Sequence, residues 1–376
     1  MIFPLVAATL LVLATIVLLL PIALFRVVRG RPQASFWRKV LWLHLGLFVL
    51  HLFLTFPLLL GLLGSRGLGT RPQELDYAGP RLDADGHMLV QSWDSLGKER
   101  AAGKPLVDAA FVAAAHSRER RIESSDGVTL RAFRLEARQE PPVATVVLVH
   151  GLFRSGMELE PVASMWRELG CECWLLELRN HGGSTRAPFT AGLRESDDVV
   201  SAVEFVRKQA GRERMPVILW GVSLGTLAVS MALPRIDGLA GVVLDAPMDD
   251  LTAAAHRMLS FDRGPDRRSW LHLSEPWRSL VILSLEQWSG FRARDVSPGE
   301  VLANLPQDLP VLLVGEGIDD RAPPDTVERL FARLPMPAER KQLWMVMEAK
   351  HGQAFAAEPA AYAERLRWLL AHMRRG

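Results

Sequence analysis

The chain has 376 residues, of which 49% are hydrophobic and 23% are charged, and its formal net charge is only +2. This balance argues against a nucleic-acid-binding protein, because such domains carry a strong basic excess. The two cysteines, Cys171 and Cys173, are one residue apart on a predicted strand and are poorly placed to bridge each other. The sequence therefore contains no disulfide framework and no zinc-binding spacing, and it leaves the redox compartment open.

Two long apolar runs open the chain. Met1 to Phe25 contains no charged side chain, and Val40 to Ser65 contains none apart from the histidines at 44 and 51. Each run exceeds the roughly 18 apolar residues that mark a membrane-spanning helix. A cleaved signal peptide is the alternative for the first run, but that run lacks a basic start and a clear cleavage site. We therefore predict an uncleaved transmembrane hairpin over residues 1–65.

The short linker between these runs is basic. It contains five positive side chains: Arg26, Arg29, Arg31, Arg38 and Lys39. Because basic loops stay on the cytoplasmic side of a membrane, the rest of the chain is predicted on the extracytoplasmic side. We expect an integral membrane protein of the bacterial inner membrane.

The histidines of the second run, His44 and His51, are seven residues apart on one helix face. They fit a buried metal or haem site, or else they form hydrogen bonds to the partner helix or lie near the membrane interface. The second interpretation is favoured, because the segment offers no further ligands.

Residues 66–118 are predicted to form a linker and an outlying helix near Gly97–Ala115, to which the sequence assigns no role. The next domain, residues 119–376, starts with a hairpin around Ser125-Asp126-Gly127. Short apolar runs then alternate with helical patterns. Runs of this kind suit strands that helices cover on both faces, and they predict a mostly parallel sheet. The predicted strands are Val143–Val149, Cys173–Leu178, Val217–Trp220, Leu239–Leu244, Pro310–Val314 and Leu343–Val346.

The third of these strands runs into Gly221-Val222-Ser223-Leu224-Gly225, and a helical pattern of small residues follows. A sharp strand-to-helix turn exposes its central serine, and the helix N-terminus beside it stabilises negative charge. Ser223 is thus a candidate nucleophile. The alternative is a glycine-rich turn whose serine only caps the helix.

A serine hydroxyl becomes a good nucleophile only when a base takes its proton and a carboxylate orients that base. The last two predicted strands supply both groups. The first of them runs into Asp319-Asp320, and the second runs into His351. We predict His351 as the base and Asp320 as the acid, with Asp319 and then Asp245 as alternatives. The alternative for Asp320 is an aspartate that only caps a helix or stabilises a turn, and the alternative for His351 is a surface histidine in a turn.

Four motifs in this order resemble the α/β-hydrolase superfamily over about residues 120–372, and most closely its monoacylglycerol-lipase-like, serine-aminopeptidase-like and Bem46-like branches. They are His150-Gly151, Glu177-Leu178-Arg179-Asn180-His181-Gly182-Gly183-Ser184, Gly221 to Gly225, and Gly317-Ile318-Asp319-Asp320. The second departs from the family pattern at Glu177, where the family has Asp, and at Asn180, where it has Gly. The resemblance implies the α/β-hydrolase fold, with backbone N–H groups of Leu152 and Leu224 as the oxyanion hole. It implies no metal and no cofactor.

Residues 247–309 interrupt the alternation, and in this fold a cap is commonly inserted at that point. Between Pro276 and Gly290 an apolar stripe recurs at helical spacing: Trp277, Leu280, Val281, Leu285 and Trp288. We predict a lid that admits acyl chains from the bilayer, with Trp277 and Trp288 near the substrate. The alternative is that the stripe packs on the body of the domain.

The sequence thus predicts a membrane-anchored serine hydrolase that cleaves carboxylic esters, of lipids or other acyl compounds, through an acyl-enzyme. A peptidase or amidase with the same triad, or a non-catalytic scaffold, are the alternatives. The expected partners are a small-molecule or lipid ester and the membrane bilayer, with no nucleic acid.

Overall fold

A computed structural model describes residues 2–30, 33–69, 118–152, 154–209, 214–260 and 273–374. Most of the predicted segment 66–118, including the helix at Gly97–Ala115, lies outside the described residues. The described chain divides into two compact units. The first unit contains Met1–Leu68 together with Ala255–Arg292, and the second contains Gly69–Ala254 and Ala293–Gly376.

The hairpin of the first unit consists of α1 (Ile2–Val28) and a second long helix. The second helix begins as α2 (Gln33–Leu50), loosens into a π-helical turn at His51–Thr55, and continues as α3 (Phe56–Gly69). Two segments, Ala8–Val28 and Arg38–Arg66, are long and apolar enough to cross a membrane. Within the described part of the chain, most of their large apolar side chains are exposed.

The two histidines of the hairpin bond within their own helix and not to the partner helix. His44 Nδ1 lies 2.7 Å from the Val40 carbonyl oxygen, and His51 Nδ1 lies 3.3 Å from Thr55 Oγ1. Among the described residues, the predicted bonds to the partner helix are not found, since each ring bonds one turn away on its own helix.

The second unit is built on an eight-stranded sheet with the strand order β1-β2-β4-β3-β5-β6-β7-β8. Strand β2 pairs antiparallel with β1 and β4, and the other neighbouring strands are parallel. The mostly parallel sheet predicted from the apolar runs is confirmed. The strands are β1 (Glu119–Glu123), β2 (Thr129–Leu135), β3 (Thr145–Val149), β4 (Glu172–Glu177), β5 (Val217–Val222), β6 (Leu239–Asp245), β7 (Val311–Glu316) and β8 (Lys341–Val346).

Helices cover both faces of this sheet because successive strand residues point to opposite sides. On one face Val146 and Leu148 share a buried core with Trp166 and Leu366. On the other face Trp174 packs edge-on against Phe205, with ring centroids 5.6 Å apart. The remaining helices are α4 (Glu160–Glu168), α5 (Glu195–Arg207), α6 (Leu224–Ala232), α7 (Leu251–Ser260), α8 (Trp277–Ser289), α9 (Pro298–Leu302), α10 (Pro324–Arg333), α11 (Ala354–Ala357) and α12 (Pro359–His372).

The predicted insertion, residues 247–309, contributes α7, α8 and the short α9. Helix α8 ends at Gly290 in the left-handed conformation (φ 72°), as its sequence indicated. The predicted boundaries placed the whole insertion with residues 119–376, whereas the structure groups Ala255–Arg292 with the hairpin.

Candidate active site

The turn between β5 and α6 holds Ser223 in a conformation that residues with side chains rarely adopt, with φ 54° and ψ −119°. The turn is so tight that its two glycines have no room for a side chain. A Cβ on Gly225 would lie 2.3 Å from the Val149 carbonyl oxygen, and one on Gly221 would lie 2.7 Å from the Gly225 carbonyl oxygen. The two glycines of the motif are therefore required by the close approach of β3, β5 and α6.

His351, in the loop after β8, connects this serine to a carboxylate. Its Nε2 lies 2.7 Å from Ser223 Oγ, and its Nδ1 lies 2.6 Å from Asp319 Oδ2. In the neutral ring, Nδ1–H then donates to the carboxylate and Nε2 accepts from the serine hydroxyl. In this arrangement His351 can take the serine proton, and the Asp319 carboxylate can stabilise the imidazolium that results.

The carboxylate that contacts His351 belongs to Asp319 and not to Asp320, so the predicted acid is corrected by one position. Asp319 is 5% exposed, and its Oδ1 accepts the backbone N–H groups of Arg321 at 2.7 Å and Ala322 at 3.0 Å. The side chain of Asp320 is exposed. Neighbouring residues in a loop point in different directions, and the two N–H bonds turn Asp319 inward.

Leu152 and Leu224 are predicted oxyanion donors, and the structure places Leu224 and Gly151, the residue before Leu152, beside the serine. Leu224 is the first residue of α6, and its N–H has no carbonyl partner within the helix. Gly151 lies close by, since a Cβ on it would be 3.4 Å from Ser223 Cβ. The Gly151 carbonyl accepts a bond from His150 Nδ1 at 2.7 Å. Because a trans peptide points its C=O and N–H in opposite directions, this bond aims the Leu152 N–H away from His150.

A family model described as "Alpha/beta hydrolase family" matches residues 146–365, which is more than half of the chain. The chain belongs to the alpha/beta hydrolase family. A search of curated protein sequences found no match.

Solved structures similar to this hydrolase share its fold at low sequence identity. An esterase of Pyrococcus furiosus is 17% identical, with a TM-score of 0.53 over 68% of this chain and 91% of that one. The alpha/beta hydrolase GrgF from Penicillium sp. sh18 is 19% identical, with a TM-score of 0.53 over 68% and 98%. Est1E from Butyrivibrio proteoclasticus, solved with ferulic acid, is 16% identical, with a TM-score of 0.50 over 67% and 99%.

The hydrolase loop that departs from the family pattern keeps a defined structure. Asn180 has φ 63°, a conformation that glycine prefers and that asparagine tolerates better than most other residues. The carboxylate of Glu177 accepts the N–H of Gly183 at 2.7 Å and pairs with Arg131 at 2.6 Å. Both departures are therefore accommodated: the backbone conformation suits Asn, and the longer acid reaches its partners.

Asp245, the more distant alternative for the acid, hydrogen-bonds elsewhere. Its Oδ2 accepts the Tyr362 hydroxyl at 2.7 Å, and that hydroxyl accepts the Trp220 indole N–H at 2.9 Å. Burial raises the pKa of Asp245, and burial together with the Asp245 charge raises the pKa of fully buried Glu316 well above its usual range. Glu316 is thus held neutral in the hydrolase core. Sequence reasoning missed Trp220, Glu316 and Tyr362, because nothing local links their positions in the chain.

The bond from Tyr362 to Asp245 gives a stability prediction. Tyr362→Phe keeps the ring but leaves a buried carboxylate oxygen and the Trp220 N–H without a partner. We expect the free energy of unfolding to fall by about 1–3 kcal/mol in a denaturant titration.

Thr145→Val is the matched control for this change. The buried Thr145 hydroxyl has no hydrogen-bond partner within the described part of the chain, so its removal should not destabilise the protein. Equal losses in the two variants would contradict the role given to the Tyr362 hydroxyl.

Two histidines near the site are buried and neutral. Burial, with a smaller effect of His181, lowers the pKa of His150 to about 3, and burial lowers that of His181 to about 4. The rings lie 4.9 Å apart. Leu178 N–H donates to His150 Nε2 at 3.1 Å, so a proton on that nitrogen would break the bond. Both histidines hold loops in place and are not candidates for the catalytic base.

These two low pKa values predict acid sensitivity. The unfolded chain takes up protons at both histidines as the pH falls below their ordinary pKa of 6.5, whereas the folded chain does not until about pH 4 and about pH 3. Stability is therefore lost progressively below pH 6.5, by about 2 kcal/mol per histidine at pH 5. Denaturant titrations at pH 7, 6 and 5 measure this slope.

His181→Gln should reduce the slope of stability against pH, and His372→Gln, at a partly exposed position, is the control. A slope that is the same in wild type and His181→Gln would contradict the assignment.

The two predicted lid tryptophans differ in their surroundings. Trp277 is 7% exposed and packs within the first unit, whereas Trp288 is 53% exposed. Their role as lid residues stays a prediction. The packing of Trp277 gives it a second, structural explanation. Across the described ranges, no group of three or more His, Cys, Asp or Glu side chains is arranged to hold a metal ion.

Proposed function

We propose that this chain is a membrane-anchored serine hydrolase that cleaves carboxylic esters, of lipids or other acyl compounds, through an acyl-enzyme. One observation carries the proposal: the hydrogen-bonded row Ser223–His351–Asp319 starts at a serine held in a strained turn at a helix N-terminus. Strain of this kind, about 1–3 kcal/mol, persists at sites where it serves function.

The geometry supports a two-step reaction. Ser223 Oγ attacks the ester carbonyl carbon while His351 Nε2 takes the hydroxyl proton. The Leu224 and Leu152 N–H groups donate to the oxyanion that forms. His351 then gives its proton to the leaving alcohol oxygen, and the acyl group stays on Ser223. In the second step His351 takes a proton from water while the water oxygen attacks the acyl carbonyl carbon. The bond from that carbon to Ser223 Oγ then breaks, His351 returns its proton to Oγ, and the carboxylic acid leaves. Asp319 stabilises the imidazolium in both steps.

Esters are preferred over amides in this proposal because an alcohol leaves more readily than an amine. The structural neighbour from Pyrococcus furiosus is named as an esterase, which makes esters the natural first substrates to test. A peptidase or amidase would use the same row of residues. A non-catalytic scaffold would not need a strained serine bonded to a histidine. The resemblance to monoacylglycerol-lipase-like and related branches stays a prediction.

The membrane-anchored part of the proposal rests on the two apolar helices and the basic linker between them. Arg26 lies in the last turn of α1, and Arg29 follows directly after this helix. Arg38 and Lys39 lie near the start of the second helix. This distribution favours a cytoplasmic linker and a hydrolase unit on the extracytoplasmic side of a bacterial inner membrane. Alkaline phosphatase fused after residue 70 should be active, and a bright green fluorescent protein at the same point would contradict this orientation.

A fluorophosphonate probe tests the proposed chemistry. The wild-type protein should be labelled, and Ser223→Ala should not. A series of p-nitrophenyl esters of increasing chain length then measures the acyl preference. Labelling that persists in Ser223→Ala, or a folded wild type that neither reacts with the probe nor cleaves any ester or amide, would reject the serine-hydrolase proposal.

A further inference from the structure

The second hairpin helix has a backbone defect at its π-helical turn. The Phe56 N–H bonds to the His51 carbonyl, five residues back. In this register the next donor, at position 57, would reach the Leu52 carbonyl. Position 57 is a proline, which has no N–H. The Leu52 carbonyl therefore loses its backbone donor in the middle of an apolar helix.

Helix α8 of the insertion supplies the missing donor. The Trp277 indole N–H bonds to the Leu52 carbonyl oxygen at 3.0 Å. The Trp277 ring stacks on Phe53 with centroids 5.7 Å apart. An unpaired carbonyl is costly in a membrane, so this bond supplies the donor that Pro57 cannot provide in the five-residue register.

A second set of contacts lies farther along both helices. The Ser284 hydroxyl donates to the Leu58 carbonyl oxygen at 3.2 Å. Gly61 allows the close approach, because a Cβ there would lie 2.3 Å from Ser284 Oγ and 2.8 Å from the Leu285 backbone nitrogen. Small residues and carbonyl bonds of this kind are typical of helices that pack together in membranes.

Apolar packing joins the two sets of contacts. One buried cluster contains Leu52 and Phe56 from the hairpin with Leu273, Trp277 and Val281 from the insertion. Leu52 lies opposite Trp277, and Gly61 lies opposite Ser284. Residue numbers therefore increase in the same direction along both helices, so α8 runs parallel to α3.

The contact segment of the hairpin lies in the half of the span Arg38–Arg66 that is farther from the basic linker. Helix α8 has 13 residues, which gives it a length of about 20 Å, enough for one leaflet with its interface but not for the whole bilayer.

The exposed and charged side chains of α8 also suit a membrane. Leu283 and Trp288 are 63% and 53% exposed. The Glu275 carboxylate, just before α8, pairs with Arg278 at 3.3 Å and also lies 3.2 Å from His256 Nδ1 of α7. Paired charges are the form in which membranes tolerate ionisable groups.

We propose that α8 is a third, half-length membrane helix, which the hairpin holds in the leaflet distal to the basic linker and whose Leu283 and Trp288 contact lipid. The partner of the surface formed by Leu283 and Trp288 is the lipid bilayer. The long hairpin helix on which α8 packs is itself proposed to cross that bilayer, so α8 is held beside the lipid. The inference rests on the membrane-anchored part of the proposed function but not on the chemistry of Ser223. Tryptophan at the far end of such a helix suits the membrane interface.

The test measures the surroundings of Leu283 in the full chain, reconstituted in vesicles of phosphatidylethanolamine and phosphatidylglycerol. Leu283→Cys is labelled with a bimane fluorophore, and its quenching by acyl-chain nitroxide lipids is compared with quenching by aqueous iodide. The native cysteines, Cys171 and Cys173, should not react with the fluorophore, because both are buried. Burial also raises the pKa of Cys171 to about 12 and that of Cys173 well above its usual range, so neither thiol forms the reactive thiolate readily. Leu43→Cys, exposed on the hairpin, and Lys208→Cys, in the second unit, are the lipid and water references.

We expect the Leu283 probe to lose most of its emission to the nitroxide lipid and little to iodide, as the Leu43 probe does. Quenching by iodide at Leu283 but by lipid at Leu43 overturns the inference and leaves the membrane anchor intact. Quenching of the Leu43 probe by iodide alone rejects the anchor itself. A Leu283 probe that neither quencher reaches means that a protein surface, such as a second copy, covers α8, and this also overturns the inference.

Two variants test whether the hairpin contacts hold α8 in place. Gly61→Leu should reduce lipid quenching at Leu283 and leave it unchanged at Leu43. Gly46→Leu, in the same long helix, is the matched control because no atom lies within 4 Å of a Cβ there. Trp277→Phe keeps the ring but removes the bond to Leu52, and it should shift quenching in the same direction. Unchanged quenching in both Gly61→Leu and Trp277→Phe would show that these contacts do not hold the helix.

Discussion

Ser223→Ala and His351→Ala each lower kcat by about 10³-fold or more, and the double variant loses little further, because the two residues act as a unit. The expected result follows from the 2.7 Å bond between His351 Nε2 and Ser223 Oγ. Ser223 attacks an ester carbonyl only when His351 takes its proton, and His351 has no nucleophile to activate when Ser223 is absent. Initial rates on a p-nitrophenyl ester measure the effect.

His372→Ala is the control for the histidine. Its ring bonds to Trp368 within its own helix, so activity should stay near that of the wild type. Losses in Ser223→Ala and His351→Ala that multiply in the double variant would show that the two side chains act independently and would contradict the triad.

Asp319→Asn lowers kcat by about 10³–10⁴-fold, whereas Asp320→Asn leaves it near the wild-type value. The Asp319 carboxylate accepts the Nδ1–H of His351, and an amide that presents its N–H group there favours the wrong tautomer of the ring. Asp320 is exposed, so its loss removes no contact with the ring. The two variants are chemically identical and one residue apart, which makes them a matched pair. An inactive Asp320→Asn beside an active Asp319→Asn would reverse the assignment.

The Asp319 and Asp320 pair shows where sequence reasoning ended. Strand β7 and the approximate place of the acid followed from short apolar runs and from the order of serine, aspartate and histidine. The choice between adjacent carboxylates depended on the N–H groups of Arg321 and Ala322, which turn Asp319 inward. Such a loop bond leaves no periodic trace in the sequence.

The stripe of α8 shows the same limit at long range. Helical spacing of Trp277, Val281 and Leu285 predicted a buried face, and α8 has one. Periodicity indicates that a face is covered but not what covers it. The partner of Trp277 is the carbonyl of Leu52, more than 200 residues earlier in the chain. This carbonyl is open to the indole because position 57, the next donor in the π-helical register, is a proline.

The strained backbone at Ser223 has a consequence for evolution. A glycine at φ 54° and ψ −119° would relieve the strain that the serine side chain imposes on this turn. Selection for stability alone would therefore favour replacing the proposed nucleophile, and on this proposal the serine persists only while its chemistry is under selection. Descendants of this chain that no longer need catalysis should drift toward glycine at position 223, with Gly221 and Gly225 unchanged, since the packing of β3 against α6 still requires both.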